Sequence, residues 1–150
     1  LLKVVLDIPD RDAELEILRR HAGGFDPRDV AGAGVTPVAS GADLLAAQEA
    51  VRTVEVSAEV SGYIVDIARA TRTSPSLSLG VSPRGATALL RTARAWAYLN
   101  HRDFTTPDDV KALAHATLTH RLALRPEAEL EGVQVAGGLD AALASVPVPR

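Results

Sequence analysis

The chain has 150 residues and a formal net charge of −3, with 47% hydrophobic, 23% charged and 3% aromatic residues and neither cysteine nor methionine. That length suits one domain, or one domain with a piece of another, and buries a real core, which here has to be aliphatic. The charge supplies no global basic field to recruit nucleic acid or acidic lipid, and the lack of cysteine excludes disulfides and thiolate chemistry.

Leu1-Leu2-Lys3-Val4-Val5-Leu6 is an aliphatic, β-branched run that stops at Asp7-Ile8-Pro9-Asp10, the pattern of a strand meeting a turn. It is too short to span a bilayer and has no partner strand nearby, so it is expected to stay out of the helical core. With no methionine at position 1, the chain reads as a piece of a longer protein. Asp10 suits the cap of a helix over 10–21, with acids at its start and Arg19, Arg20 and His21 at its end, as the helix dipole favours. Gly23-Gly24 ends it, and residues 25–41 form a connection with one short extended piece at Val35 to Val38.

A second helix is expected over 42–52, with Leu44, Ala47, Gln48 and Val51 on its inner face, after which Val54-Glu55-Val56 reads as a brief strand. The clearest helix covers 57–72, where Val60, Tyr63, Ile64, Ile67, Ala68 and Thr71 recur at the spacing of a buried stripe. Thr71 to Ser82 reads as a loop. The helix over 83–99 is expected to bury Ala86, Leu89, Leu90, Ala93, Trp96 and Ala97 and to carry Arg84, Thr87, Arg91 and Arg94 on its other side. Thr106-Pro107-Asp108-Asp109 is a strong start signal for a helix over 107–119. His120 to Leu124 reads as a short strand and Leu139 to Val146 as a final small helix. Together these predict a mainly α helical bundle with short extended segments, its core built on Leu44, Val60, Ile64, Ile67, Leu89, Leu90, Trp96, Val110 and Leu113.

Few residues are arranged for chemistry. The phosphate-binding pattern G-x-x-x-x-G-K-[ST] is absent, and Val4-Val5-Leu6-Asp7 is better read as a strand and turn than as a magnesium-holding acid. His115 and His120 point to different sides of a helix, so they make no metal pair, and the loop serines lack a nucleophile elbow. Arg91 and Arg94 read as members of a solvated face. Arg84 differs by position. Ser82 suits an N-cap and Pro83 the first helical position, which sets Arg84 in the first turn. A lone cation there is disfavoured by ~0.3–1 kcal/mol, whereas a phosphate shared between the guanidinium and the helix amides reverses the sign. An exposed arginine without a ligand is the simpler reading of that residue taken by itself.

The stretch ATRTSPSLSLGVSPRGATALLRTARAWAYL, followed by RDFTTPDDVKALAHATLTHRLAL, resembles the C-terminal lid domain of MoxR-family AAA+ ATPases. Val81 stands where an alanine is more usual. The resemblance implies that residues 1–8 are a remnant of the last strand of the AAA+ core domain and that residues 9–150 are the helical lid. It further implies that Arg84 matches the sensor 2 arginine, which reaches the γ-phosphate of ATP, with Ser82 and Pro83 setting the helix start that supports it. The parent would then be a cytoplasmic ATPase using ATP and Mg2+ and forming rings with its own core domain and neighbouring subunits. Its work would be chaperone-like assembly or activation of partner proteins, von Willebrand A domain proteins among them, and not nucleic acid or membrane binding. Walker A, Walker B, sensor 1 and the arginine finger would lie before Leu1, so this piece alone would hold no catalytic residue, metal ligand or bound ATP. Two other readings remain beside it at the level of the residues: a helical DNA-binding module of histone-like type, which the charge balance disfavours, and a helical protein-interaction domain with no nucleotide role.

Overall fold

A computed structural model describes residues 1–149, which form seven α-helices, one turn of 3-10 helix and a two-stranded sheet. The chain divides into two compact units, Val5–Ala46 and a larger one of Leu1–Val4 with everything from Ala47 onward.

The smaller unit holds α1 (Arg11–Ala22) and the first residues of α2 (Gly41–Thr53). Asp10 caps α1, its Oδ1 accepting from the Ala13 N–H at 2.8 Å, and the basic residues lie in the last turn as the dipole requires. None of its residues is buried, and Ile17 and Leu18 are exposed. The helix therefore rests on its caps and on local pairs such as Arg20 with Glu16 at 2.9 Å. Leu44, expected in the core, is 60% exposed, because no buried face of this unit lies against it. Val35 to Val38 forms no strand, having no ladder partner.

The larger unit is built around α3 (Ala58–Thr73), whose predicted stripe is buried in full. Ile67 has no exposed surface, and it shares the core with Val81, with Leu89 and Ala93 of α4 (Pro83–Leu99), with Val110, Ala114 and Leu118 of α5 (Pro107–Leu118), and with Leu139 of α7 (Val135–Ser145). Helix α4 packs against both α3 and α5 through a stripe of small residues, Gly85, Ala88, Thr92, Ala93 and Ala97, broken only by Leu89. Small side chains let the helices approach closely, and the buried hydroxyls of Thr92 and Thr117 meet across the seam at 3.0 Å. Trp96 is too bulky for that seam and lies 42% exposed beside it, not in the core as expected, while Leu90 and Leu113 are half-buried at the margin.

The segment read as a loop after α3 contains β1 (Leu77–Leu79), antiparallel to β2 (Ala123–Leu124). His120 and Arg121, expected in a strand, belong to the 3-10 turn Thr119–Arg121. Helix α6 (Pro126–Leu130) precedes α7, which starts ahead of the expected Leu139 because Gly137 and Gly138 lie inside it. Gly138 packs closely there, since a Cβ would sit 3.2 Å from Leu77 Cδ2. Val54-Glu55-Val56, expected as a brief strand, forms none: only Glu55 finds a partner, in an isolated bridge with Phe104, its N–H donating to the Asp103 carbonyl at 2.7 Å and its carbonyl accepting from the Thr105 N–H at 2.9 Å. Leu1 to Leu6 does not form a strand. Its backbone meets α5 through the Lys3 N–H and Ala116 carbonyl at 2.8 Å, and its leucines and valines remain exposed.

Candidate functional site

The start of α4 is built from the residues the sequence singles out. Ser82 is extended (φ −74°, ψ 165°), and its Oγ accepts from the Gly85 N–H at 3.2 Å. Pro83 opens the helix at the position where its missing N–H is harmless. Gly85 is buried because a Cβ there would come within 2.8 Å of Val81 Cγ1 and 3.5 Å of Arg121 Cδ. The helix start is thus pressed onto Val81 and the stem of Arg121, and Arg84 is turned to the exposed side.

Arg84 forms no ion pair or side-chain hydrogen bond among the described residues, and the first turn of α4 contains no acid. A cation, the positive end of the helix dipole and no counter-charge make a local surplus of positive potential that suits a phosphate oxygen. Arg91 is also exposed, two turns along. Arg94 differs from the expected solvated residue: it is half-buried, and its Nε is shielded from water with no partner among the described residues.

The loop into this helix is held by residues that sequence reasoning did not connect with it. The Val81 N–H donates to Thr71 Oγ1 at 2.9 Å, and Arg72 Nε donates to the Val81 carbonyl at 2.6 Å. Gly80 crosses the end of α3 so closely that a Cβ would lie 2.7 Å from Arg72 Cα. Only the glycine before Val81 hinted at such an approach, since the bonds span nine and ten positions along the chain.

Residues 69–139, which contain this whole arrangement, match the family model described as the AAA lid domain. Over 149 residues the chain is 37% identical to the uncharacterized protein YeaC of Bacillus subtilis, covering 99% of this chain and 45% of that protein. It is 37% identical over 101 residues to protein MoxR of Paracoccus denitrificans, covering 58% of this chain and 30% of that one. Residues 69–139 are a lid domain of the MoxR-family AAA+ ATPase type. The chain also matches chaperone MoxR1 of Mycobacterium tuberculosis, at 27% identity over its full length and 40% of that protein. A crystal structure of a candidate ATPase from Cytophaga hutchinsonii superposes with a TM-score of 0.80 at 29% identity, covering 99% of this chain and 46% of that one. The chain thus spans less than half the length of each of these proteins.

Proposed function

We propose that Arg84 is the sensor 2 arginine of a MoxR-type ATPase, donating from its guanidinium to the terminal phosphate of ATP held by a core domain outside this chain. The observation that carries the reading is the unpaired, exposed Arg84 in the acid-free first turn of a helix capped by Ser82 and opened by Pro83. Those residues fit a phosphate: the guanidinium offers paired donors and the helix start offers a positive dipole end. ATP with Mg2+ supplies the cleavable phosphoanhydride bond. The lid supplies a cation that is drawn to the phosphate only when lid and core come together, so nucleotide state is converted into lid position. The same reading extends to a cytoplasmic ring of subunits acting in chaperone-like assembly or activation of partner proteins, including those with von Willebrand A domains. Residues 1–8, on this reading, belong to the last strand of the core, and residues 9–150 to the lid.

In the full-length ATPase, Arg84→Ala should remove a contact worth ~1.5–3 kcal/mol and lower ATP hydrolysis without unfolding the exposed site. Arg91→Ala, on the same helix but away from its start, is the matched control. Steady-state hydrolysis at saturating nucleotide and magnesium checks both, and wild-type rates for Arg84→Ala would end the assignment.

A further inference from the structure

Thr71 and Arg72, consecutive residues in the last turn of α3, hold the N–H and the C=O of one peptide residue, Val81, which stands immediately before the N-cap of α4. Thr71 is fully buried, and its hydroxyl donates to the Ala68 carbonyl at 2.7 Å, which leaves the oxygen lone pairs facing Val81. Arg72 is exposed and uses Nε alone; its terminal amino groups have no hydrogen-bond partner among the described residues. Gly80 closes the neck by riding over the Arg72 backbone. The loop between them, with β1, is therefore pinched off, and the start of α4 is tied to the end of α3.

We propose that Arg72, with Thr71, is a positioning residue for Arg84, fixing the origin of α4 so that the guanidinium arrives at the phosphate already aimed; this rests on the sensor reading of Arg84. From Val81 to Arg84 the chain has little freedom, because Val81 is clamped at both polar groups, Ser82 is fixed as a cap and the ring of Pro83 sets its own φ. An error at Val81 is thus passed on to Arg84 without being absorbed, and small displacements of an aligned catalytic group are costly. The arginine works here through a neutral geometric feature, one N–H at the end of a three-carbon stem. A glutamine places its amide nitrogen on the same carbon, so Arg72→Gln keeps the donor and deletes the charge.

The test is ATP hydrolysis by the full-length protein carrying Arg72→Ala, Arg72→Gln, Arg84→Ala, and Arg72→Ala with Arg84→Ala, alongside their melting temperatures. Arg72→Ala should lower kcat/KM ~10-fold, the scale of one lost hydrogen bond, and Arg72→Gln should recover most of it. In the Arg84→Ala background, Arg72→Ala should cost nothing more, since it acts through Arg84. Glutamine as poor as alanine, or losses that multiply in the double variant, would overturn the positioning role and make Arg72 a phosphate contact in its own right. A normal Arg72→Ala beside an impaired Arg84→Ala sinks the clamp alone. A normal Arg84→Ala sinks the sensor reading and takes the clamp's purpose with it.

Discussion

Asp109 is 3% exposed and still keeps its carboxyl below the usual carboxylate range. Burial is the largest influence and pushes the other way, but the Arg102 guanidinium and the N–H and hydroxyl of Thr106 together outweigh it. Arg102 reaches both carboxylate oxygens, with Nη1 to Oδ2 at 2.7 Å, and its own pKa is raised chiefly by that bond. Thr106 and Asp109 also close a capping box, the Asp109 N–H donating to Thr106 Oγ1 at 3.3 Å. A carboxyl whose folded pKa is depressed contributes stability above its unfolded pKa and loses it as pH falls through the folded one. Asp109→Asn should therefore destabilise the lid by ~1–3 kcal/mol at pH 7, with the gap from wild type closing below about pH 4. Urea midpoints for the two proteins at pH 7 and pH 3 check this. Equal gaps at both would mean that the pair carries no pH-linked stability.

Among the elements, α3 carries the core, whereas Trp96 near the far end of α4 lies outside it. Ile67→Ala opens a cavity at a site with no exposed surface and should cost ~2–5 kcal/mol, whereas Trp96→Ala, at a half-open position, should cost less than ~2 kcal/mol. Thermal or urea unfolding of both variants gives the comparison, and equal losses would place Trp96 back in the core. The five longest helices were legible to within a residue at each end because their signals are local: Asp10, Ser57, Ser82 and Thr106 are caps, and the apolar spacing in α3 needs no partner to be recognised. The start of α6 had a signal too, Pro126 with acids behind it, which its short length obscured. β1 had none, since Leu77–Leu79 becomes a strand only through Ala123–Leu124 far along the chain. Trp96 and Leu44 were misplaced because periodicity gives a face, not the width of the gap it has to fill or what lies opposite. The site divides the same way. Ser82, Pro83 and Arg84 are read from three neighbouring letters, while the hold of Thr71 and Arg72 on Val81 exists only once the intervening loop has closed.

At the scale of the whole chain, no helix among the described residues is long and apolar enough to cross a membrane, and stability is concentrated in the larger unit. Within that unit the connection from α4 to α5 is unusually well specified. His101 takes a left-handed conformation (φ 56°), its N–H donating to the Tyr98 carbonyl and that of Arg102 to Ala97, a Schellman ending that turns the chain at once. Arg102 then pairs with Asp109 and lies 5.9 Å from the Phe104 ring centroid, so one side chain spans the turn from the end of one helix to the cap of the next. The consequence is kinetic. Contacts closed by a short stretch of chain incur little loop entropy, so the α4–α5 hairpin is expected to form in the folding transition state, with α7, which reaches α3 across a long separation, docking afterwards. Val110→Ala should then slow refolding, and Leu139→Ala should chiefly quicken unfolding, a contrast that stopped-flow chevrons resolve directly. The part of the lid that would meet nucleotide would thus rest on the part that folds first, its helix already laid down before the rest of the core closes over it.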